Sequence, residues 1–342
     1  MAKKQQTSIS YQQIVQQLRA GEFMPVYYLM GEETYYISRI ADFIVKSALN
    51  EDERDFNLTI IDGTQHSMAE AVSAAMRYPM MAERQVVVVR DAQKLDEYES
   101  LATYLQKPMQ TTILVFCHNG GKLDRRTKAA QMVERVGILY ESVKLKDNEL
   151  LPFVQAYFQR HQMSIDYGAS MMLCQNIGAD LERMSTEMDK LRAALPQGQT
   201  AITSELVATH TGINKDYNVF ELTNALDAKD ALKAYRIVKY FDSNPKGFAI
   251  QLCLGAMFKH YSDLLIAYYS PVRTEEGIAA WAGMNRYAVR FGILPAMRNY
   301  SARKVFDIIG QIRITDAASK GGSGVNLSTG ELLTELVSFI LH

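Results

Sequence analysis

The segment Gln85-Val86-Val87-Val88-Val89-Arg90 carries four valines in a row. β-Branched side chains favour extended backbone, and an extended run with no polar alternation has to bury both of its faces. Four more short runs read as strands: Val26–Met30 (VYYLM), Asn57–Asp62 (NLTIID), Thr111–Cys117 (TTILVFC) and Ile138–Val143. Helical patterns separate them. Ile37, Ile40, Ala41, Phe43, Ile44 and Ala48 fall at helical spacing within Tyr35–Leu49, and Leu95–Leu105 also reads as helix. Ser67 and Glu70 form a Ser-x-x-Glu capping box that starts a helix running toward Met76. Strands apolar on both faces, separated by helices, predict a parallel sheet covered on both sides. Residues 1–145 are therefore expected to form an α/β domain of roughly Rossmann type.

After about residue 146 the strand signal stops. Asn148–His161 places Leu151, Val154 and Phe158 on one helical face. Ala179–Leu195 puts Leu181, Met184, Met188 and Leu191 on one stripe, with Glu187 and Lys190 outside, and Pro196-Gln197-Gly198 ends it. Residues 146–213 are expected to be a small helical domain. From 214 to 342 the pattern is helical again, over 218–226, 229–241, 245–268, 274–282, 286–297, 301–319 and 328–341. The last is closely specified: Ser328 and Glu331 make a second capping box, and Leu332, Leu333, Leu336, Val337, Ile340 and Leu341 line one face. An all-α third domain is the expectation, with no internal repeat and no low-complexity linker.

The length of 342 residues suits two or three domains at roughly 100–200 residues each. Formal net charge is -1, so any nucleic-acid contact would have to come from a local patch. Cys117, Cys174 and Cys253 are scattered with no CxxC pair, and the six histidines show no metal spacing, which predicts no metal site and free thiols in a reducing compartment. MAKKQQTSIS has lysines but no apolar run behind them, and no stretch approaches the ~20 apolar residues of a membrane span. A cytoplasmic protein is expected.

In nucleotide-binding α/β domains the first strand runs into a glycine-rich loop at a helix N-terminus, where backbone N–H groups and a lysine cradle phosphates. Here that loop is Gly31-Glu32-Glu33-Thr34. It has the first glycine, but no second glycine and no lysine. Glu32 and Glu33 put negative charge where phosphates would lie. Two readings are open: Thr34 and the helix N-terminus bind some other ligand, or the acidic residues cap the helix dipole. The capping reading is favoured. The QVVVV strand ends in Arg90-Asp91-Ala92, with alanine where a catalytic glutamate would follow, so Asp91 reads as a turn residue. No catalytic residue and no cofactor is expected.

Five strings together resemble the clamp-loader delta family, a relative of the AAA+ ATPases. They are Val26-Tyr27-Tyr28-Leu29-Met30-Gly31-Glu32-Glu33, Gln85–Ala92, Lys122-Leu123-Asp124-Arg125-Arg126-Thr127-Lys128, Glu187-Met188-Asp189-Lys190-Leu191 and Val219-Phe220-Glu221-Leu222. They are spread over all three expected domains. The resemblance implies an AAA+-like module without ATPase activity, followed by a small helical lid and a collar domain. The collar would join the ATP-hydrolysing motor subunits (gamma or tau) and a second non-hydrolysing subunit, delta prime, within a DNA-polymerase (nucleotidyltransferase) holoenzyme. The first domain would bind the ring-shaped sliding clamp (beta) and hold one interface open for loading onto primed template DNA. In the family the clamp contact is a hydrophobic pair at the tip before the third strand. Counting back from Arg84-Gln85, Met80 and Met81 match that pair, with Tyr78 and Pro79 beside them. Two methionines replace the Leu-Phe type of pair, and methionine suits an adaptable contact.

The competing reading of Met80 and Met81 is core filling in a chain with 17 methionines. A proline before them and Glu83-Arg84 after them argue for an exposed turn. Lys122, Arg125, Arg126 and Lys128 make a basic cluster that is either a DNA or subunit contact or a solvated helix face. Arg286, Tyr287, Arg290, Arg298, Tyr300, Arg303 and Lys304 form a basic, aromatic stretch. Its tyrosines would either stack on bases or pack the collar. Gly321-Gly322-Ser323-Gly324 follows a helix instead of a strand and reads as a loop. Two rival functions stand beside the clamp opener: an ATPase with a rearranged phosphate loop, and a stand-alone DNA-binding protein.

Overall fold

The computed structural model describes residues 9–196, 198–211, 217–244, 249–321 and 327–342. The chain divides into two units, Met1–Leu145 and Lys146–His342. The expected boundary between the second and third domains, at 213/214, lies outside the described residues.

The first unit opens with α1 (Tyr11–Arg19), which has a capping box between Ser10 and Gln13. Then follow β1 (Val26–Gly31), α2 (Thr34–Ala48), α3 (Glu51–Asn57), β2 (Leu58–Asp62), α4 (Met68–Ala75), β3 (Gln85–Arg90), α5 (Tyr98–Tyr104), β4 (Thr112–Asn119), α6 (Lys128–Val136) and β5 (Ile138–Ser142). The five strands form one sheet in the order β2-β3-β4-β1-β5, every pair parallel. Alternate residues of each central strand enter opposite cores, as a two-residue period requires. Val26, Tyr28 and Met30 of β1 meet Val87, Val89, Leu114 and Phe116 on the face covered by α4, α5 and α6. Tyr27 and Leu29 meet Val86, Val88, Ile113 and Val115 on the face covered by α1 and α2. β2 is an edge strand, so its Ile60 is exposed without breaking the pattern.

The second unit holds α7 (Asp147–Arg160), β6 (Ser164–Ile165), α8 (Tyr167–Ile177), α9 (Leu181–Ala194), β7 (Ala201–Ile202), α10 (Ser204–Thr211), α11 (Val219–Asp227), α12 (Ala231–Ser243) and α13 (Ile250–Tyr268). They are followed by α14 (Glu275–Ala282), α15 (Arg286–Ala288), α16 (Leu294–Asn299), α17 (Ala302–Ser319) and α18 (Thr329–Leu341). β6 and β7 correct the expectation that strands stop at 146. They pair in parallel over two residues each, too short for any periodicity to register. The helix expected over 286–297 is also interrupted. A π turn, Val289–Ile293, separates α15 from α16. Pro295 explains it: proline cannot donate to the carbonyl four residues back, at Phe291, and its ring crowds that carbonyl.

Five of the six residues of the expected α18 stripe, Leu332, Leu333, Leu336, Val337 and Ile340, are buried in the core with α11, α12, α13 and α17, while Leu341 packs against it only partly buried. Each such side chain contributes about 1.5–3 kcal/mol of burial. Among the described residues no helix is long and apolar enough to cross a membrane.

Candidate functional site

At the carboxyl edge of the sheet, beside the junction of β1 and β4, nucleotide-binding sheets place their phosphates. Here the position is closed. Glu33 is the N-cap of α2, is 6% exposed, and its carboxylate accepts from the Tyr35 backbone N–H at 3.2 Å. A negative group of the chain itself thus takes up an N–H that a phosphate would use, at the positive end of the helix. Glu32 is exposed and its N–H donates to the Ser142 carbonyl at 3.3 Å. Thr34 is the first residue of α2 and Gly31 ends β1 against β5. The geometry is that of a capped helix. Asp91 has left-handed backbone (φ 49°) and accepts from the Gln93 side chain at 2.9 Å, a turn residue as expected.

The segment between α4 and β3 is different in kind. α4 ends at Ala75, so Pro79 lies in the loop beyond the helix and does not itself end it. Met80 is 60% exposed, Met81 103% and Tyr78 76%, with Met76 also exposed. The core-filling reading of the two methionines is therefore not what the fold does with them. Apolar side chains gathered this way on a surface mark an interaction site. The tip is held rigidly from beneath. Buried Asn57 accepts from the Met80 N–H at 2.7 Å and donates to the Met80 carbonyl at 2.9 Å. Buried Gln85 donates to the Arg77 carbonyl and to Thr112 Oγ1, and Thr112 Oγ1 donates to the Ala75 carbonyl at 2.9 Å. Arg84 lies over the Phe23 ring at 4.9 Å. Met81 has φ 53°, a left-handed conformation that is strained for a bulky residue by about 1–2 kcal/mol. Asn57 and Gln85 fasten this loop, and neither stands out in the sequence.

Asn57→Ala is expected to destabilise the protein by about 1–2 kcal/mol, because it removes two part-buried hydrogen bonds to the Met80 backbone. Chemical unfolding measures this, and an unchanged midpoint would show that the Asn57 bonds do not hold the tip.

The basic cluster is brought together, but with acids. Lys122 pairs with Glu141 (2.6 Å), Arg125 with Glu134 (2.6 Å) and Glu141 (3.5 Å), and Arg126 with Asp124 (2.7 Å). The Arg126 guanidinium holds the Asp124 carboxyl down at about 2. Three carboxylates offset most of the four cations, so little field is left for a phosphate. The helix-face reading needs correction as well: Lys122, Arg125 and Arg126 lie in the loop before α6, and only Lys128 is on the helix.

In the second unit Tyr300 is 3% exposed and its hydroxyl donates to the Leu226 carbonyl at 2.6 Å. Burial pushes that hydroxyl's pKa well above the ordinary tyrosine value. Tyr300 packs the core and cannot stack on a base. Arg303 is exposed and pairs with Asp307 at 3.6 Å, while Arg298 lines a surface cleft. Of Gly321–Gly324, only Gly321 is among the described residues.

A parallel α/β domain with its phosphate position closed by its own carboxylate, and a helical unit after it, is the class these observations define. The family model for the DNA polymerase III delta subunit matches residues 27–143. The DNA polymerase III subunit delta of Bacillus subtilis (strain 168) is 26% identical over 219 residues, 61% of this chain. The match spans 63% of that relative, less than two thirds of its length. The solved Bacillus subtilis DNA clamp loader delta protein superposes with a TM-score of 0.53 at 22% identity, covering 97% of this chain and 99% of that one, which is a likeness of fold. Residues 27–143 are thus similar to the DNA polymerase III delta-subunit family.

Proposed function

We propose that this protein binds the sliding clamp through Met80 and Met81, flanked by Tyr78 and Pro79, and opens the ring for loading onto primed DNA. It does so without hydrolysing ATP itself. The observation that supports this reading most is the exposed methionine pair on a loop fastened by Asn57. A preorganised apolar tip enters a pocket on a partner without first losing backbone freedom, which favours affinity. The closed phosphate position supports the absence of hydrolysis: a triphosphate there would displace the Glu33 cap and face Glu32. The energy for exposing and withdrawing the tip then comes from neighbouring subunits. The partners are the clamp, the gamma or tau motor subunits, delta prime, and primed template within the assembled loader, in the cytoplasm.

The test is to mix the chain with its own sliding clamp in the absence of nucleotide and follow complex formation by size-exclusion chromatography. A stable complex is expected. Titration of the chain with magnesium-ATP is expected to show no binding that Glu33→Ala alters. No complex with the clamp, or magnesium-dependent ATP binding at the β1–α2 loop, would overturn the reading.

A further inference from the structure

The helical unit carries an open cleft of about 660 Å³ between the start of α8, α11 and the 294–299 helix. Three aromatic rings stand in its wall. Tyr167 meets Phe220 edge-on with centroids 5.9 Å apart, and meets Phe291 at a tilt at 5.6 Å. Phe291 continues the row by stacking on Tyr287 at 6.2 Å. Both Phe291 and Tyr287 are half exposed, so ring surface is free to accept another flat group.

Two guanidinium groups accompany the rings. Arg298 lines the cleft, and Arg290 lies 5.5 Å from the Phe291 centroid. On the same stretch Arg286 is paired with Glu275 and Glu276, and Arg303 with Asp307. Arg290 and Arg298 have no carboxylate partner among the described residues. Asp227 supplies a polar floor. It is 4% exposed and lines the cleft, and Oδ1 accepts from His260 Nε2 at 3.0 Å. Oδ2 is 2.9 Å from the same nitrogen, but out of hydrogen-bond geometry, and has no hydrogen bond among the described residues. The wall is also locally irregular. The π turn at Val289–Ile293, set by Pro295, carries Phe291 at its centre, and such turns concentrate at functional sites.

From this combination we infer that the cleft takes one unpaired nucleotide of a single nucleic-acid strand. The base lies against Phe291 and Tyr167, its edge groups face Asp227, and Arg298 and Arg290 hold the flanking phosphates. Rings alone would suit an apolar peptide. Unpaired guanidinium groups beside them fit a polyanion that also has flat faces. The inference does not rest on the clamp contact, which lies in the other unit, and each fails separately: clamp binding by the same preparation is measured on its own.

The test is fluorescence anisotropy of the full chain with a labelled oligothymidylate of about twelve nucleotides, within the usual site size, at low salt. Saturable binding is expected, weakened about tenfold or more by Phe291→Ala and by Arg298→Ala. Phe306→Ala, which removes an exposed ring on α17, is expected to change nothing. Phe291 is half exposed, so its variant is expected to keep the wild-type melting transition. Four results would each overturn the inference: no binding, unchanged affinity in Phe291→Ala, equal affinity for a blunt duplex of the same length, or displacement by thymidine monophosphate at the oligonucleotide's own concentration. The last would mark a site for free nucleotides.

Discussion

Replacing Met80 and Met81 together by alanine is expected to weaken clamp binding by about a hundredfold or more while leaving the unfolding transition in place. The two side chains are 60% and 103% exposed in the free protein, so their removal forms no cavity. In a complex each would bury most of its surface, about 1.5–3 kcal/mol apiece. At about 1.4 kcal/mol per decade, losing both corresponds to roughly two to four orders of magnitude in Kd. A second substitution separates contact from folding. Met81→Gly removes the side chain and also relieves the left-handed backbone at φ 53°. It is expected to raise stability by up to about 1 kcal/mol and still to lose affinity, opposite signs that a general loss of structure cannot produce. Surface plasmon resonance with immobilised clamp and thermal melts of the same variants provide the two readouts. Wild-type affinity in the double alanine variant would remove Met80 and Met81 from the contact.

The residues legible in the sequence are those whose environment is written in neighbouring positions. Val86–Val89 reads as a doubly covered strand because all four side chains go to one or the other core. Ser67 with Glu70 and Ser328 with Glu331 read as helix starts because both halves of the box lie within four residues. α1 has the same kind of box, but only Ile14 and Leu18 are fully buried, too few to show a stripe. Asn57 could not be found this way. Its partner is the backbone of Met80, 23 residues on, and a lone Asn before a strand has no pattern. The basic cluster failed for a similar reason: Glu134 and Glu141 are nine and sixteen residues from Arg125 and have no place in its local string. Tyr300 had both fates open in sequence. Its burial depends on α11, whose Leu226 carbonyl it reaches across 74 residues.

Gly31→Ala is expected to destabilise the first unit by about 3–5 kcal/mol, a large part of the 5–15 kcal/mol typical of a folded domain. In sequence this glycine reads as the start of a phosphate loop. In the structure its requirement is steric and comes from β5. Gly31 has φ 129°, and a Cβ there would stand 2.1 Å from the Ser142 carbonyl oxygen, 2.5 Å from Ser142 Oγ and 2.8 Å from Ser142 N. Two of the three obstacles are backbone, so repacking a side chain cannot relieve them. β5 would have to move out by about 1 Å, given an ordinary van der Waals contact of ~3.5 Å or somewhat less. That shift strains the pairing of Gly31 with Ser142, the bond from Ser142 Oγ to the Met30 carbonyl (3.2 Å), and that from the Glu32 N–H to the Ser142 carbonyl (3.3 Å). Backbone strain contributes about 1–2 kcal/mol and overpacking about 1–3 kcal/mol more, with weakened hydrogen bonds supplying the remainder. Gly21 is the control: it also has positive φ (76°), but none of the described residues lies within 4 Å of its would-be Cβ, so Gly21→Ala is expected to cost only about 1 kcal/mol. Ser142→Ala is expected not to rescue Gly31→Ala, because the carbonyl at 2.1 Å remains. Urea unfolding of the three variants decides the matter. Equal midpoint shifts for Gly31→Ala and Gly21→Ala would show that backbone conformation, and not the approach of β5, is what requires a glycine at the end of β1.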